Sequence, residues 1–217
     1  MPAALTYALL LTDLRRYLER GFTEADDPNV FSQLPRLVTL AERRCARELK
    51  VLGFQSVVTA AMQADLAVYA KPDRWRATVS INFGTGTGNN TRNPLFPRSY
   101  EYVIAYWPDR TATGTPEVYA DYDYQHWVFA PTPSAAFPFE VLFYEQPAFL
   151  DDAVSSNWLT DFAPELLLYA GLLEATPFLK NDERIATWQT FYDRAASATN
   201  GEELQKILDR AAVRGRA

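Results

Sequence analysis

Along the chain the apolar positions change period from helical to alternating and back again. From about Thr6 to Arg20, Leu11, Leu14, Tyr17 and Leu18 recur at helical spacing, with Gly21 as the stop. Residues 22–34 hold Asp26, Asp27, Pro28 and Asn29, turn chemistry that predicts a loop. A second helix is predicted from near Pro35, with Leu37, Leu40, Ala41, Cys45, Leu49 and Leu52 as its stripe and Gly53 as its end. From Phe54 the helical period fades. By Arg74 the period is two: Trp75, Ala77, Val79, Ile81 and Phe83 alternate with polar neighbours, as in a half-buried strand. Residues 100–107, YEYVIAYW, fit either a strand or a short helix. Glu117–Asp121, Gln125–Ala130 and Phe137–Glu145 read as three more strands, joined by turns at Tyr122-Asp123-Tyr124 and Pro131-Thr132-Pro133. In the last of them Phe139, Val141 and Phe143 share one face and Leu142 and Tyr144 the other, which predicts cover on both sides.

The helical period returns in NWLTDFAPELLLYAGLLEATPFLKNDERIATWQTFY, residues 157–192. It reads as two amphipathic helices. The first opens at Pro164 with Glu165 near the positive dipole end, carries Leu166, Tyr169, Ala170 and Leu173, and closes at Pro177. The second is capped by Asn181, has Asp182 and Glu183 in its first turn, and carries Ile185, Trp188, Gln189 and Tyr192. A third is predicted from Asn200, with Glu203 completing a capping box and Leu204, Ile207, Leu208 and Ala211 as its stripe. The fold class that results is α+β: a helical bundle from N-terminal (1–53) and C-terminal (151–217) helices, carrying an antiparallel β-rich insertion (54–150).

Composition narrows the chemistry. The chain has 217 residues, 48% of them hydrophobic, enough to bury a sizeable core. Its net charge is −6 and no segment is strongly basic, which argues against gripping nucleic acid through its phosphates. Cys45 is the only cysteine and His126 the only histidine, so no internal disulfide and no Cys/His zinc cluster can form. Asp13, Arg15 and Arg16 interrupt the apolar N-terminus too early for a signal or a membrane span, so a soluble, non-secreted chain is expected.

Few residues suggest catalysis. Gly84, Gly86 and Gly88 form a G-x-G-x-G run after a strand, but Asn89 to Pro94 follow instead of a helix, so a hairpin tip is favoured over a phosphate loop. Asp121, Asp123 and His126 could make an acid–base or metal cluster. Strand alternation, though, sends His126 to the opposite face unless the turn re-aims it. With Tyr119, Tyr122, Tyr124, Trp127 and Phe129 nearby, a carbohydrate-binding or carbohydrate-active site is the alternative reading of this region; sheet core and subunit interface is the plainer one. Arg36, Arg43, Arg44 and Arg47 read as a solvated face paired with Glu42 and Glu48, with a partner-binding face as the alternative. Asp151-Asp152 and Glu202-Glu203 are expected at a linker and at a helix start. No catalytic, cofactor-binding or metal residue is assigned.

Five blocks stand in a characteristic order: LPRLVTLAERRCARELKVLGF, KPDRWRATVSINF, RSYEYVIAYWPD, GTPEVYADYDYQHWVFAPTP and NWLTDFAPELLLYAGLLEATPFLKNDER. Over about residues 5–200 the chain resembles the head-to-tail adaptor proteins of tailed bacteriophages, with a glycine-rich loop at 84–93 longer than is usual there. The resemblance implies a virion structural protein without enzyme activity or cofactor. It would be made in the host cytoplasm and placed in the neck as a ring, commonly of twelve copies, between the portal protein and a downstream tail or nozzle protein. Genomic DNA would pass through its channel without being held, and no membrane would be involved. The segment 200–217 is then expected as a portal- or neighbour-binding arm through Leu204, Ile207, Leu208, Arg210, Arg214 and Arg216, as against folding back on its own bundle.

Overall fold

The computed structural model describes residues 5–49, 51–84, 92–179 and 182–214, except for the side chains at 203, 204 and 206–214. The chain divides into two compact units, one formed by residues 1–54 with 146–217 and the other by residues 55–145. Helix and sheet are thereby separated, and the fold class is mixed α+β.

The first unit is helical. α1 (Tyr7–Leu18) is capped by the Thr6 hydroxyl and turns off at Glu19, which takes a left-handed conformation. α2 (Pro28–Glu48) starts a full two turns before the predicted Pro35, so much of the expected loop at 22–34 is helix. The Asp27 carboxylate accepts the Val30 N–H at 3.2 Å, and Pro28 occupies the first turn, where its missing N–H costs nothing. Pro35 sits inside the helix and removes one internal hydrogen bond there. Burial of Val30 and Leu34 on the same stripe as Val38, Ala41 and Cys45 holds the preceding turns in place.

α4 (Trp158–Phe162) opens with a capping box between Asn157 and Thr160. α5 (Pro164–Glu174) starts at Pro164 as predicted. It is not amphipathic: Leu166, Leu167, Ala170, Gly171, Leu172 and Leu173 are all buried, as befits a helix packed against α1, α2, α4 and the last helix of the chain. Gly171 lets α1 approach, since a Cβ there would stand 2.9 Å from the Leu14 side chain. The predicted Asn181 cap lies outside the described residues. α6 (Arg184–Arg214) then runs unbroken for 31 residues. The separate helix predicted from Asn200 is therefore corrected: Asn200, Gly201 and Glu202 are helix interior, and Glu202-Glu203 do not mark a helix start.

The second unit is a seven-stranded sheet. Its strands are β1 (Gln55–Ala61), β2 (Val68–Ala70), β3 (Trp75–Phe83), β4 (Asn93–Pro97), β6 (Val118–Asp121), β7 (His126–Ala130) and β9 (Pro138–Glu145), in the order β1-β9-β3-β4-β6-β7-β2. Pairing is antiparallel except between β4 and β6. The short strands β5 (Thr113–Gly114) and β8 (Thr132–Pro133) form a parallel pair of their own. Tyr69 on one edge strand stacks on Phe129 at 4.7 Å and meets Phe139 of β9 edge-on at 5.7 Å, so the sheet curls round an aromatic core. Register shifts between Trp75 and Ala77 and between Thr78 and Ser80 break the predicted alternation of β3. Ile81 and Phe83 point inward, but Val79 is turned out to solvent and Thr78 takes an inward place, where its hydroxyl accepts the indole N–H of Trp127 at 3.0 Å. In β9, Phe139, Val141 and Phe143 are buried while Glu140, Leu142 and Tyr144 are half-buried, so the second face is only partly covered. The undecided stretch YEYVIAYW is a helix, α3 (Tyr100–Tyr106), whose Val103 packs on Val118, Ala120, Val128 and Ala130.

Candidate functional site

The β6–β7 turn does re-aim the suspected cluster. Asp123 Oδ1 accepts the Gln125 N–H at 2.6 Å, and the curled turn brings both carboxylate oxygens to 2.9 Å from His126 Nδ1. Its bonds to His126 and Gln125 outweigh partial desolvation and hold the Asp123 carboxyl below the usual range. Asp121 is elsewhere: it pairs at 2.7 Å with Lys71, whose side chain is only 2% exposed. The Lys71 ammonium also donates to the Asp123 carbonyl at 2.9 Å and lies 3.7 Å from the Trp75 ring centre. The three residues, weighed and not assigned as a cluster from the sequence, thus fall into two pairs, and no group of three metal-ligand side chains exists among the described residues.

A hollow of about 380 Å³ beside these pairs is lined by residues 70–75 and 124–126. Trp75 and the 75%-exposed Tyr124 meet edge-on at its mouth. Tyr119, Trp127 and Phe129 are core residues, and Tyr122 packs edge-on against Tyr100 at 5.2 Å. Of the tyrosines considered for sugar stacking, Tyr124 is the most open.

In the helical unit the arginine cluster behaves differently from expectation. Glu42 does not pair with it, because Glu42 is fully buried on the stripe between Val38 and Cys45. Its carboxylate accepts the Leu150 N–H at 3.1 and 3.2 Å and the Asn157 amide at 2.6 Å, clipping the returning segment 146–157 to α2. Burial, opposed by those hydrogen bonds, pushes its pKa up to about 7. Glu48 accepts the Tyr192 hydroxyl at 2.5 Å. Arg44 pairs at 2.7 Å with Glu174 of α5, and Arg43 lies over the Phe149 ring. Among the described residues Arg36, Arg43 and Arg47 make no ion pair. Cys45 is fully buried and burial pushes its thiol up to about 12, so it is unreactive.

Asp151 accepts the N–H groups of Ala153 and Val154 at 2.8 and 2.6 Å, a turn role as expected of the linker. Of the arm residues, Leu204, Ile207, Leu208, Arg210 and Arg214 belong by backbone to α6, but their side chains lie outside the described residues, as does Arg216 altogether. Gly84 is described, hydrogen-bonding through its N–H to the Pro138 carbonyl at 2.8 Å, while residues 85–91 of the glycine-rich run lie outside the described residues. The sequence reading puts Glu42 on the solvated arginine face and assigns nothing to Lys71. The signal for Glu42 was its place on the apolar stripe of α2, seven positions before Leu49 and three before Cys45.

Among the described residues no helix is long and apolar enough to cross a membrane. No curated protein matches the chain. The model of the SU10 adaptor protein family matches it over residues 5–216, across both units and all five sequence blocks. The chain belongs to the SU10 adaptor protein family, and is a phage adaptor protein, structural rather than catalytic in nature.

Proposed function

We propose that the chain forms a ring in the virion neck, joining the portal protein to a downstream tail or nozzle protein and surrounding the path of the genome without enzymatic activity. The family match over nearly the whole chain carries this reading. The separation into a helical unit and a curled sheet supports it, since one unit can pack side by side with neighbours while the other offers loops and edges to a second partner. The acidic balance, −6 per chain, disfavours tight contact with exiting DNA. The last turns of α6 carry Leu204, Ile207, Leu208, Arg210 and Arg214, and these with Arg216, two positions later in the sequence, serve as the arm toward portal or neighbour.

Light scattering on the purified chain, alone and with its portal, tests the reading. A ring-sized species that co-purifies with portal is the expected result, and truncation after Thr199 is expected to remove portal binding while leaving melting within a few degrees. A monomer indifferent to portal, with glycan affinity lost on Tyr124→Ala, would replace the adaptor reading by the carbohydrate one at the Trp75–Tyr124 hollow.

A further inference from the structure

α4, α5 and α6 enclose an open groove of about 560 Å³ in the helical unit. Its walls hold Phe162, Tyr169 and Phe191. Phe162 is 71% exposed and Phe191 41%, an unusual amount of ring surface to leave in water. Acidic side chains dominate the rim: Glu165 and Glu202 line the groove, exposed Asp161 adjoins Phe162, and Arg194 is the one base in the lining.

The opposite flank carries a complementary ridge. Arg36, Leu40, Arg43 and Arg47 fall on one stripe of α2, on the far side from fully buried Leu34, Val38, Ala41 and Cys45. The three arginines are exposed, Leu40 is half-buried among them, and half-buried Phe149 lies under Arg43. The two surfaces face apart. On α5, Glu174 points to α2 through Arg44, while Tyr169, five residues before it, and Glu165, nine before it, are turned roughly 140° and 180° away.

We infer that the groove of one copy receives the Arg36–Leu40–Arg43–Arg47 ridge of α2 from a second copy, in a heterologous contact repeated around the ring. This rests on the ring reading above and adds which surfaces meet. A ring needs two different, mutually complementary patches on opposite flanks of each copy, and here a basic ridge with an apolar knob matches an acidic groove floored by rings. Guanidinium groups pair with carboxylates and lie on aromatic faces, and arginine and aromatic residues are enriched where proteins meet.

The test uses the full chain with two single substitutions, Leu40→Cys and Phe162→Cys, mixed under mild oxidation; native Cys45 is buried and takes no part. An intermolecular disulfide is expected only in the mixture, and the doubly substituted chain should give a ladder of linked copies up to ring size. Separately, Arg43→Glu with Arg47→Glu should raise the concentration needed for assembly at least tenfold, and adding Asp161→Arg and Glu165→Arg should restore it, with circular dichroism unchanged throughout. Rings that persist without the disulfide and ignore charge reversal overturn these surfaces and leave the ring reading standing. Groove variants that assemble normally but lose portal assign the groove to portal and also overturn the inference. A wild-type chain that stays monomeric with and without portal removes both.

Discussion

Glu42 in the helical unit has no exposed surface and meets only neutral donors, the Leu150 N–H and the Asn157 amide. Lys71 in the sheet unit is nearly as buried, yet it meets a carboxylate, a carbonyl and the face of an indole. Each charge fastens a connection: Glu42 ties residues 146–157 to α2, and Lys71 ties the β6–β7 turn to the β2–β3 loop. The difference lies in compensation. Lys71 has a carboxylate to offset its charge, whereas the Glu42 carboxylate, held by neutral groups in a dry site, is better off protonated. Sensitivity to protons near neutral pH is therefore expected at Glu42.

The contrast is tested most severely by deleting the helical anchor. Glu42→Leu strands the buried Leu150 N–H and takes one of two acceptors from the Asn157 amide, whose other bond goes to the Ala148 carbonyl at 2.9 Å. A loss of about 2–4 kcal/mol in urea unfolding is expected, from one stranded donor and one lost hydrogen bond. A loss below about 1 kcal/mol would mean that the clip is ornamental.

Glu42→Gln, which mimics the protonated acid, isolates the proton. The folded pKa of Glu42, about 7, lies above the 4.5 of an unburied glutamate, so the folded state binds the proton more tightly than the unfolded chain does. Its favourable contribution is fully present below about pH 4.5, is lost as pH rises, and levels off above about 7. Between these limits the wild type should lose stability on the order of 3 kcal/mol, and Glu42→Gln should lose little of it. Measuring between pH 5 and 8 avoids Asp109, Asp123 and Asp182, whose lowered values act in the opposite sense and only in acid. Parallel slopes for the two proteins would remove Glu42 as the cause.

In the sheet unit Lys71→Met should cost less, about 1–2 kcal/mol. Asp121 is 65% exposed and rehydrates when its partner goes, so no buried charge is left behind. A loss as large as that of Glu42→Leu would erase the distinction between the two anchors.

What could be read in advance follows the same division. Pro164 announced α5 because a proline in the first turn is a local signal, and the strands ending at Asp121, Ala130 and Glu145 were legible from alternation and turn residues. The start of α2 was missed because Pro35 looks like a helix opener; only tertiary burial of Val30 and Leu34 shows that the stripe continues through it. β1 was missed because an edge strand with one sided cover, QSVVTAA, lacks strict alternation. Of the site, Cys45 was read as a buried thiol from its own helix face, but Glu42 and Lys71 act through residues more than 40 positions away, and Asp123 meets His126 only because of a turn conformation. Composition could not reveal those partners.

The smallest expected effect concerns the far end of the helical unit, where sequence and structure differ most plainly. Asn200-Gly201 reads as a helix start, yet α6 passes through both. Gly201 is exposed, and a Cβ built on it meets nothing within 4 Å. In a helix interior alanine is favoured over glycine because glycine gives up more backbone freedom on folding. Gly201→Ala should therefore stabilise the chain by about 0.5–1 kcal/mol if the last turns of α6 unfold together with the bundle. It should also raise helical circular dichroism slightly in the intact chain. If the helix instead broke at Asn200, Gly201 would sit at a first-turn position where the two residues differ by little, and melting would not move. An unchanged melting temperature with unchanged helicity would restore the break and detach residues 200–217 from the continuous helix.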